Sequence, residues 1–383
     1  MNFNKITYII YTLLVLLLPL TACTKQSEVI ETPAQVLEKV ETKFRGVWLS
    51  CYELSDMLSD GNEDFFRAEV EKMLTVCNSQ SINTVFLQVR PFADSVYPSE
   101  VFPFSDYALS ASGKNPDFDI LSVFIEIAER YDIGVHAWIN PYRISYDTSL
   151  SELNKDSIAF NEDYKDSVVC TDVGIYLNPC YDKSRSLVLS GVREILENYN
   201  VKGIHIDDYF YPLTEEKFDK PQYDEYCKQG GKLTFAQWRR ENVNSLVSSI
   251  YSLVHSYGDD LVFSISPAGD IDKNLSSYYA DVKLWLRESG YADIIIPQVY
   301  FGFEHEKMPF EQVAYEWLRL TRADDVDIWC GLAVYKCGTT DEFAGTGSEE
   351  WKEDSDVIER QKAYVDNSAY SGYVLYSYKY ISS

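Results

Sequence analysis

Two adjacent aspartates, Asp207 and Asp208, followed by Tyr209, Phe210, Tyr211 and Pro212, carry the clearest chemical content of this chain. In the run Gly203–Asp208, Ile204 and Ile206 share one parity and His205 and Asp207 the other. A strand there has one apolar face and one face of titratable groups. Breaking a glycosidic bond usually takes two carboxyl groups, one to protonate the leaving oxygen and one as base or nucleophile. Two like charges side by side raise the cost of ionising both, so one of the pair is expected to hold a proton near neutral pH and act as general acid. The competing reading is an Asp pair that only caps a turn. Neighbouring strand residues point apart, so the second carboxyl is expected from another strand end: Asp94, Asp270 or Glu304. A route without a protein nucleophile would use the N-acetyl group of the sugar, oriented by Gln298 and Tyr300.

Other residues of the same neighbourhoods are suited to holding a sugar. Arg90, Asn140, Arg143 and His205 offer donors and acceptors for hydroxyl, acetamido or carboxylate groups, and Gln88 shares the parity of Arg90. Trp48, Trp138 and Tyr209 supply flat rings for sugar faces, with at least one tryptophan assigned to core packing. Arg90 has an equal claim as a brace for Asp207. His205, one layer deeper than Asp207, is read as a structural hydrogen-bonder.

These side chains need a scaffold that brings distant segments to one rim. Short β-branched or aromatic runs recur at Gly46–Cys51, Thr84–Arg90, Gly134–Asn140, Gly203–Asp208, Leu261–Pro267, Ile294–Tyr300, Ile328–Ala333 and Tyr373–Tyr378. Helical patterns lie between them at Asp64–Cys77, Ile120–Tyr131, Ser184–Tyr199, Phe235–Ser256 (with Thr234 as N-cap), Asp281–Ser289, Phe310–Arg322 and Asp356–Asn367. Eight strand-then-helix units predict an α/β fold, a single (β/α)8 TIM barrel over residues 44–383 with long βα loops. Polar residues gather at the C-terminal ends of one parity, as a barrel mouth requires. An open doubly wound sheet is the alternative, with fewer polar lumenal residues. The loops Pro91–Asp117 and Ser145–Asn178 are long and aromatic or acidic, as substrate-shaping loops are.

The formal charge of -26 argues against nucleic acid and disfavours polyanionic ligands. Aromatic residues make up 15 % of the chain, 30 of them tyrosines, which suits sugar binding. Met1 to Lys5 precede an apolar run, Ile6 to Leu20, too short for a comfortable membrane span and followed by Leu20-Thr21-Ala22-Cys23. This resembles a bacterial lipobox. It implies a signal peptide over residues 1–22, lipidation of Cys23, and a flexible tether over residues 23–43. The expected location is outside the cytoplasm, anchored to the membrane through the lipid on Cys23 only, on the outer membrane in a Gram-negative cell. Apart from Cys23, seven cysteines remain: Cys51, Cys77 and Cys330 are expected as buried thiols, and Cys170 and Cys180 as a possible disulfide pair. No CxxC pair or HExxH run points to a metal, no cofactor is expected, and nothing argues for a protein partner, so a monomer is favoured.

Phe44-Arg45-Gly46-Val47-Trp48, Asn83 to Arg90, Ala137-Trp138-Ile139-Asn140-Pro141-Tyr142-Arg143 and Gly203 to Pro212 together resemble the bacterial glycoside-hydrolase-like family ten, long catalogued as a domain of unknown function. Ile294 to Tyr300 and Gly331 to Tyr335 extend the resemblance to essentially the whole chain from Phe44. It implies a barrel glycosidase, often exported or lipid-anchored, similar to enzymes that cut peptidoglycan glycan strands freed of their peptides. A surface lipoprotein that binds glycan without cutting it, and a hydrolase of dietary or host polysaccharide, are the alternatives. Strand seven ends Val334-Tyr335-Lys336 without an acid, unlike many barrel glycosidases, and this leaves the stereochemical outcome open.

Overall fold

The computed structural model describes residues 44–381. The expected signal peptide, Cys23 and the tether lie outside the described residues. Eight parallel strands close into a barrel: β1 (Phe44–Leu49), β2 (Thr84–Arg90), β3 (Gly134–Ile139), β4 (Gly203–Ile206), β5 (Val262–Ile265), β6 (Ile294–Ile295), β7 (Asp327–Leu332) and β8 (Gly372–Leu375). Each strand pairs with its sequence neighbours, and β8 closes on β1. The fold is therefore the (β/α)8 barrel, not an open sheet.

Two apolar clusters follow from strand alternation. The outward parity (Val85, Leu87, Ile139, Ile204, Ile206) packs against the helices in one large core. The inward parity forms a separate plug of Trp48, Phe86, Trp138, Ile294, Ile296, Trp329 and Val374. A filled lumen is the usual state of such barrels. Gly331 makes room for this plug, since a Cβ there would lie 3.1 Å from the Trp48 ring. The longest helix, Phe235–His255, starts at Thr234, whose hydroxyl accepts from the Gln237 N–H in a capping box.

Several strands end earlier than the periodicity suggests. β4 stops at Ile206, and β6 covers only Ile294–Ile295 because Pro297 has no N–H to continue the ladder. β1 stops at Leu49 because Ser50 N-caps a short helix, Cys51–Met57. The Ser145–Asn178 loop is not bare coil. It contributes to an antiparallel three-stranded side sheet of Arg143–Ser145, Val168–Thr171 and Gly174–Leu177. Cys170 and Cys180, left open as a possible pair, are both free thiols. Cys170 is exposed on a side-sheet strand, whereas Cys180 is half-buried, its thiol pushed up by burial and by Asp219. Cys51, Cys77 and Cys330 are buried thiols. Among the described residues no helix is long and apolar enough to cross a membrane.

Candidate active site

The early end of β4 decides the geometry of the acidic pair. On an extended strand Asp207 and Asp208 would face opposite sides. Here the chain turns after Ile206, the Phe210 N–H reaching the Asp208 carbonyl at 3.0 Å. Both carboxyls consequently line one pocket of about 270 Å3 at the C-terminal mouth, with Trp48, Trp138, Tyr209, Gln298, Tyr300 and Tyr376. Arg239 holds the exit loop from behind. Buried completely, it donates to the carbonyls of Leu213, Thr214 and Glu215 and pairs with Asp219 at 2.6 Å.

Asp207 is 3 % exposed. Its Oδ2 accepts from the Trp138 indole N–H at 3.1 Å, and its Oδ1 has no partner. Burial first, and the neighbouring Asp208 charge second, push its carboxyl up to about 7, against the opposing pull of Arg143 and Trp138. Asp208 sits half-buried on the lip. Burial raises it to about 6, while its own backbone, the Gln298 amide and the positive charges of Lys273 and Arg143 favour its ionised form. Burial therefore pushes both carboxyls up toward neutrality, and each raises the cost of ionising the other, so they titrate as an interacting pair.

His205 lies beneath them, fully buried. Trp48 Nε1–H donates to its Nε2 at 3.1 Å, so Nε2 is an acceptor and Nδ1 carries the proton toward Ser264 Oγ at 2.8 Å. Burial, with His136 adding to it, depresses its pKa well below the usual histidine range. A neutral, three-way bonded imidazole is a floor for the tryptophans, not a proton shuttle.

Arg143 stands at the rim, 5 % exposed, with its guanidinium 4.2 Å from the Tyr209 ring centre, 4.2 Å from Tyr146 and 5.2 Å from Phe92. Burial opposes its charge, but Tyr146 and Asp207 outweigh this and raise its pKa. It remains a cation beside the acidic pair. Asn140 Oδ1 accepts from the Arg143 backbone N–H at 3.2 Å and so supports the turn, while its Nδ2 is unpaired.

Other expected site residues lie elsewhere. Gln88 faces the lumen but spends its Oε1 on the Cys51 N–H at 2.9 Å. Arg90 faces away from the lumen. A β-bulge between Gln88 and Arg90 shifts the register against β3, so Arg90 pairs with outward-facing Ile139. It stacks 3.7 Å from the Phe102 ring centre, in a slot kept open by Gly191, whose Cβ would meet Arg90 Nη1 at 2.5 Å. It therefore does not brace Asp207. None of the three expected partner carboxyls lines the pocket. Asp94 borders a neighbouring groove, Asp270 caps the Ile271–Lys273 turn through the Lys273 N–H, and Glu304 is exposed on a loop held by Glu350. Ser266, Tyr335 and Tyr376 line the pocket without having been singled out from the sequence. Tyr376 shared the parity of lumenal Val374, and that was the signal available for it. Among the described residues no cluster of three or more His, Cys, Asp or Glu is placed to hold a metal ion.

The glycosyl hydrolase-like 10 family model matches residues 43–346, most of the barrel and all of the pocket except Tyr376. The chain belongs to this family. Glycosyl hydrolase YngK of Bacillus subtilis is 29 % identical over 344 residues, 84 % of this chain and 67 % of that protein. Glycosyl hydrolase DigH of Escherichia coli K12 is 28 % identical over 385 residues, 91 % of this chain and 86 % of that protein. Among solved structures, the glycoside hydrolase domain of PgaB (BpsB) from Bordetella bronchiseptica superposes with a TM-score of 0.56 at 12 % identity, covering 87 % of this chain and 93 % of that one. At that identity the likeness is one of fold. The protein is a glycoside hydrolase of barrel architecture.

Proposed function

We propose that this glycoside hydrolase cuts an N-acetylated cell-envelope glycan, peptidoglycan strands above all, from an exported position anchored through lipid on Cys23. The observation that carries the chemistry is the isolation of the acidic pair: Asp207 and Asp208 are the only carboxyl groups among the residues lining the pocket. Two carboxyls on adjacent residues do not flank a sugar from opposite sides, as the two-carboxylate mechanisms require. The arrangement suits assistance by the substrate's own acetamido group. Its carbonyl oxygen attacks the anomeric carbon as the bond to the leaving oxygen breaks, giving an oxazolinium ion that water then opens.

Asp207, with the higher pKa, is assigned as the acid that protonates the leaving oxygen. Asp208, held by Gln298, stays ionised and steadies the acetamido N–H and the developing positive charge. Trp48, Trp138 and the stacked pair Tyr300 and Tyr376, ring centres 6.0 Å apart, supply walls for the ring and its methyl group. The deciding test compares N-acetylglucosamine-containing oligosaccharides with the same chains de-N-acetylated at the cleaved unit. Turnover of the first and loss of the second supports the reading, while equal turnover of both removes substrate assistance. A parallel panel of peptide-free peptidoglycan strands and plant or host polysaccharides assigns the source of the glycan.

The anchored location rests on the apolar run Ile6–Leu20 and the Leu20-Thr21-Ala22-Cys23 sequence. Cys23→Ser is expected to move the protein from the membrane fraction to the soluble exported fraction. A variant still pelleting with membranes would contradict the anchor.

A further inference from the structure

Just beyond β3 the chain buries a positive charge without pairing it. Arg143 is 5 % exposed, and none of the ion pairs among the described residues includes it. Its Nε is buried and has no hydrogen-bond partner. Asn140, buried in the same turn, leaves its Nδ2 unpartnered as well. Asn140 shares the parity of Trp138, which lines the catalytic pocket and holds Asp207. A guanidinium taken out of water normally keeps oxygen partners, because a bare buried charge is costly. Arg239 shows that solution in this same fold, with Asp219 and three loop carbonyls around it. Arg143 is met instead by rings, Tyr209 and Tyr146 at 4.2 Å and Phe92 at 5.2 Å.

Its place says what kind of partner fits. Tyr209 lines the catalytic pocket and Tyr146 lines an adjoining groove, so the guanidinium stands at the junction of the two. Both tyrosines are about half exposed, and either ring can swing aside to uncover the guanidinium edge. The titratable groups facing Arg143 are Tyr146, Asp207, Tyr209 and Tyr176, with Asp208 on the lip. Asp207, pushed up to about 7, is largely neutral on the acid side of that value and leaves the cation uncompensated there. The net charge of -26 and the groove acids Asp94, Asp106, Asp147 and Glu152 repel an anion from the surrounding surface and so confine it to the arginine. A guanidinium fork with an amide donor close by matches the two oxygens of a carboxylate.

We propose that Arg143, assisted by Asn140 Nδ2, receives a free carboxylate carried by a sugar unit adjoining the bond to be cut. In a peptidoglycan strand that group is the lactyl carboxylate of the muramic acid unit. The inference rests on the peptidoglycan reading above and deepens it. An attached peptide turns the same carboxyl into an uncharged amide, so the enzyme selects peptide-free strands by reading a charge and not merely by lacking room for the peptide.

The test compares turnover of peptide-free strands with that of the same strands after conversion of their lactyl carboxyls to primary amides, which removes the charge without adding bulk. Wild-type kcat/KM should be about 10- to 100-fold higher on the acid form. Arg143→Gln should make the two forms nearly equal, and Arg143→Lys should keep part of the preference. Asn140→Asp retains the acceptor that supports the turn but puts an anion where the donor stood, so it too should lower the ratio. Both substrates are read with one variant at one pH, so any effect of Arg143 on the acidic pair cancels in the ratio. Equal turnover of acid and amide by the wild type, or a ratio unchanged in Arg143→Gln, would overturn the inference. Should Arg143→Gln fail to fold, the wild-type ratio and Asn140→Asp decide. Calorimetric binding of both strands to Asp207→Asn separates this idea from the substrate reading. Carboxylate-dependent binding without wild-type cleavage removes the peptidoglycan reading alone, cleavage with equal turnover removes the role of Arg143 alone, and the absence of both removes both.

Discussion

The indole N–H of Trp138 reaches Asp207 Oδ2 at 3.1 Å and leaves Oδ1 of the same carboxyl without a partner in the pocket. One oxygen is fixed and the other is free to carry or release a proton. The tryptophan orients the acid, burial keeps it protonated, and the ionised neighbour adds to that effect. Roles follow that single substitutions separate.

With Asp207 as the acid, its loss should matter in proportion to how poor the leaving group is. Asp207→Asn should lower kcat on natural glycan about 100- to 10,000-fold and leave a far smaller defect on an aryl glycoside with an activated phenol. Asp208→Asn should cost both substrates similarly, since it acts on the sugar and not on the leaving oxygen. Steady-state kinetics on the two substrate types reads this directly. A uniform defect in Asp207→Asn would reassign the acid.

The pH profile of kcat/KM should be a narrow bell with its limbs at about 6 and about 7, belonging to the pair as a whole. Arg143 favours the ionised form of both carboxyls, so Arg143→Gln should move the limbs to higher pH, by about half a unit or more, and Arg143→Lys should move them less. The same carboxyl affects stability. The folded pKa of Asp207 lies above the roughly 3.9 of an unfolded aspartate, so its contribution is complete below about pH 4 and is lost as pH rises through about 7. Asp207→Asn should therefore flatten the decline in thermal midpoint over that window.

The outward-facing half of the chain was legible because it obeys one rule, a period of two on strands and of 3.6 on helices. Eight strands and their order followed from it. The pocket was legible only in part, because its key departures break that period. One extra residue in β2 turns Arg90 away from the lumen, and the early turn after Ile206 brings Asp208 round to the side of Asp207. Neither leaves a mark in composition. Asp94, Asp270 and Glu304 followed strand ends as candidates should, but whether a loop acid points inward depends on loop conformation, which spacing does not encode.

His205 tests the difference between a floor and a shuttle. Its contacts to Trp48, Ser264 and Ser266 are all buried, so His205→Ala should destabilise the fold by about 2–4 kcal/mol through unpaired donors and lost volume. The limbs of the pH profile should stay where they are in the residual activity. A shift of either limb would show that the imidazole titrates with the reaction.

Arg239 should prove essential to the loop that follows the acidic pair. Arg239→Met strands the buried Asp219 carboxylate and three loop carbonyls, with an expected cost of about 3–5 kcal/mol by chemical denaturation. Because Asp219 is then the uncompensated charge, adding Asp219→Asn should recover part of that loss. No recovery would show that the carbonyl contacts carry the effect alone.

The central claim is that one acidic pair, Asp207 with Asp208, performs the cleavage unaided by a third carboxyl. Mass analysis of products from a defined, peptide-free N-acetylated glycan strand tests it most directly, using the wild-type protein, Asp207→Asn, Asp208→Asn, and a triple Asp94→Asn, Asp270→Asn, Glu304→Gln variant. The account predicts strand fragments from the wild type and from the triple variant, and intact strands from each member of the pair. Cleavage that survives in both pair variants, or that vanishes in the triple variant while its fold persists, would contradict it.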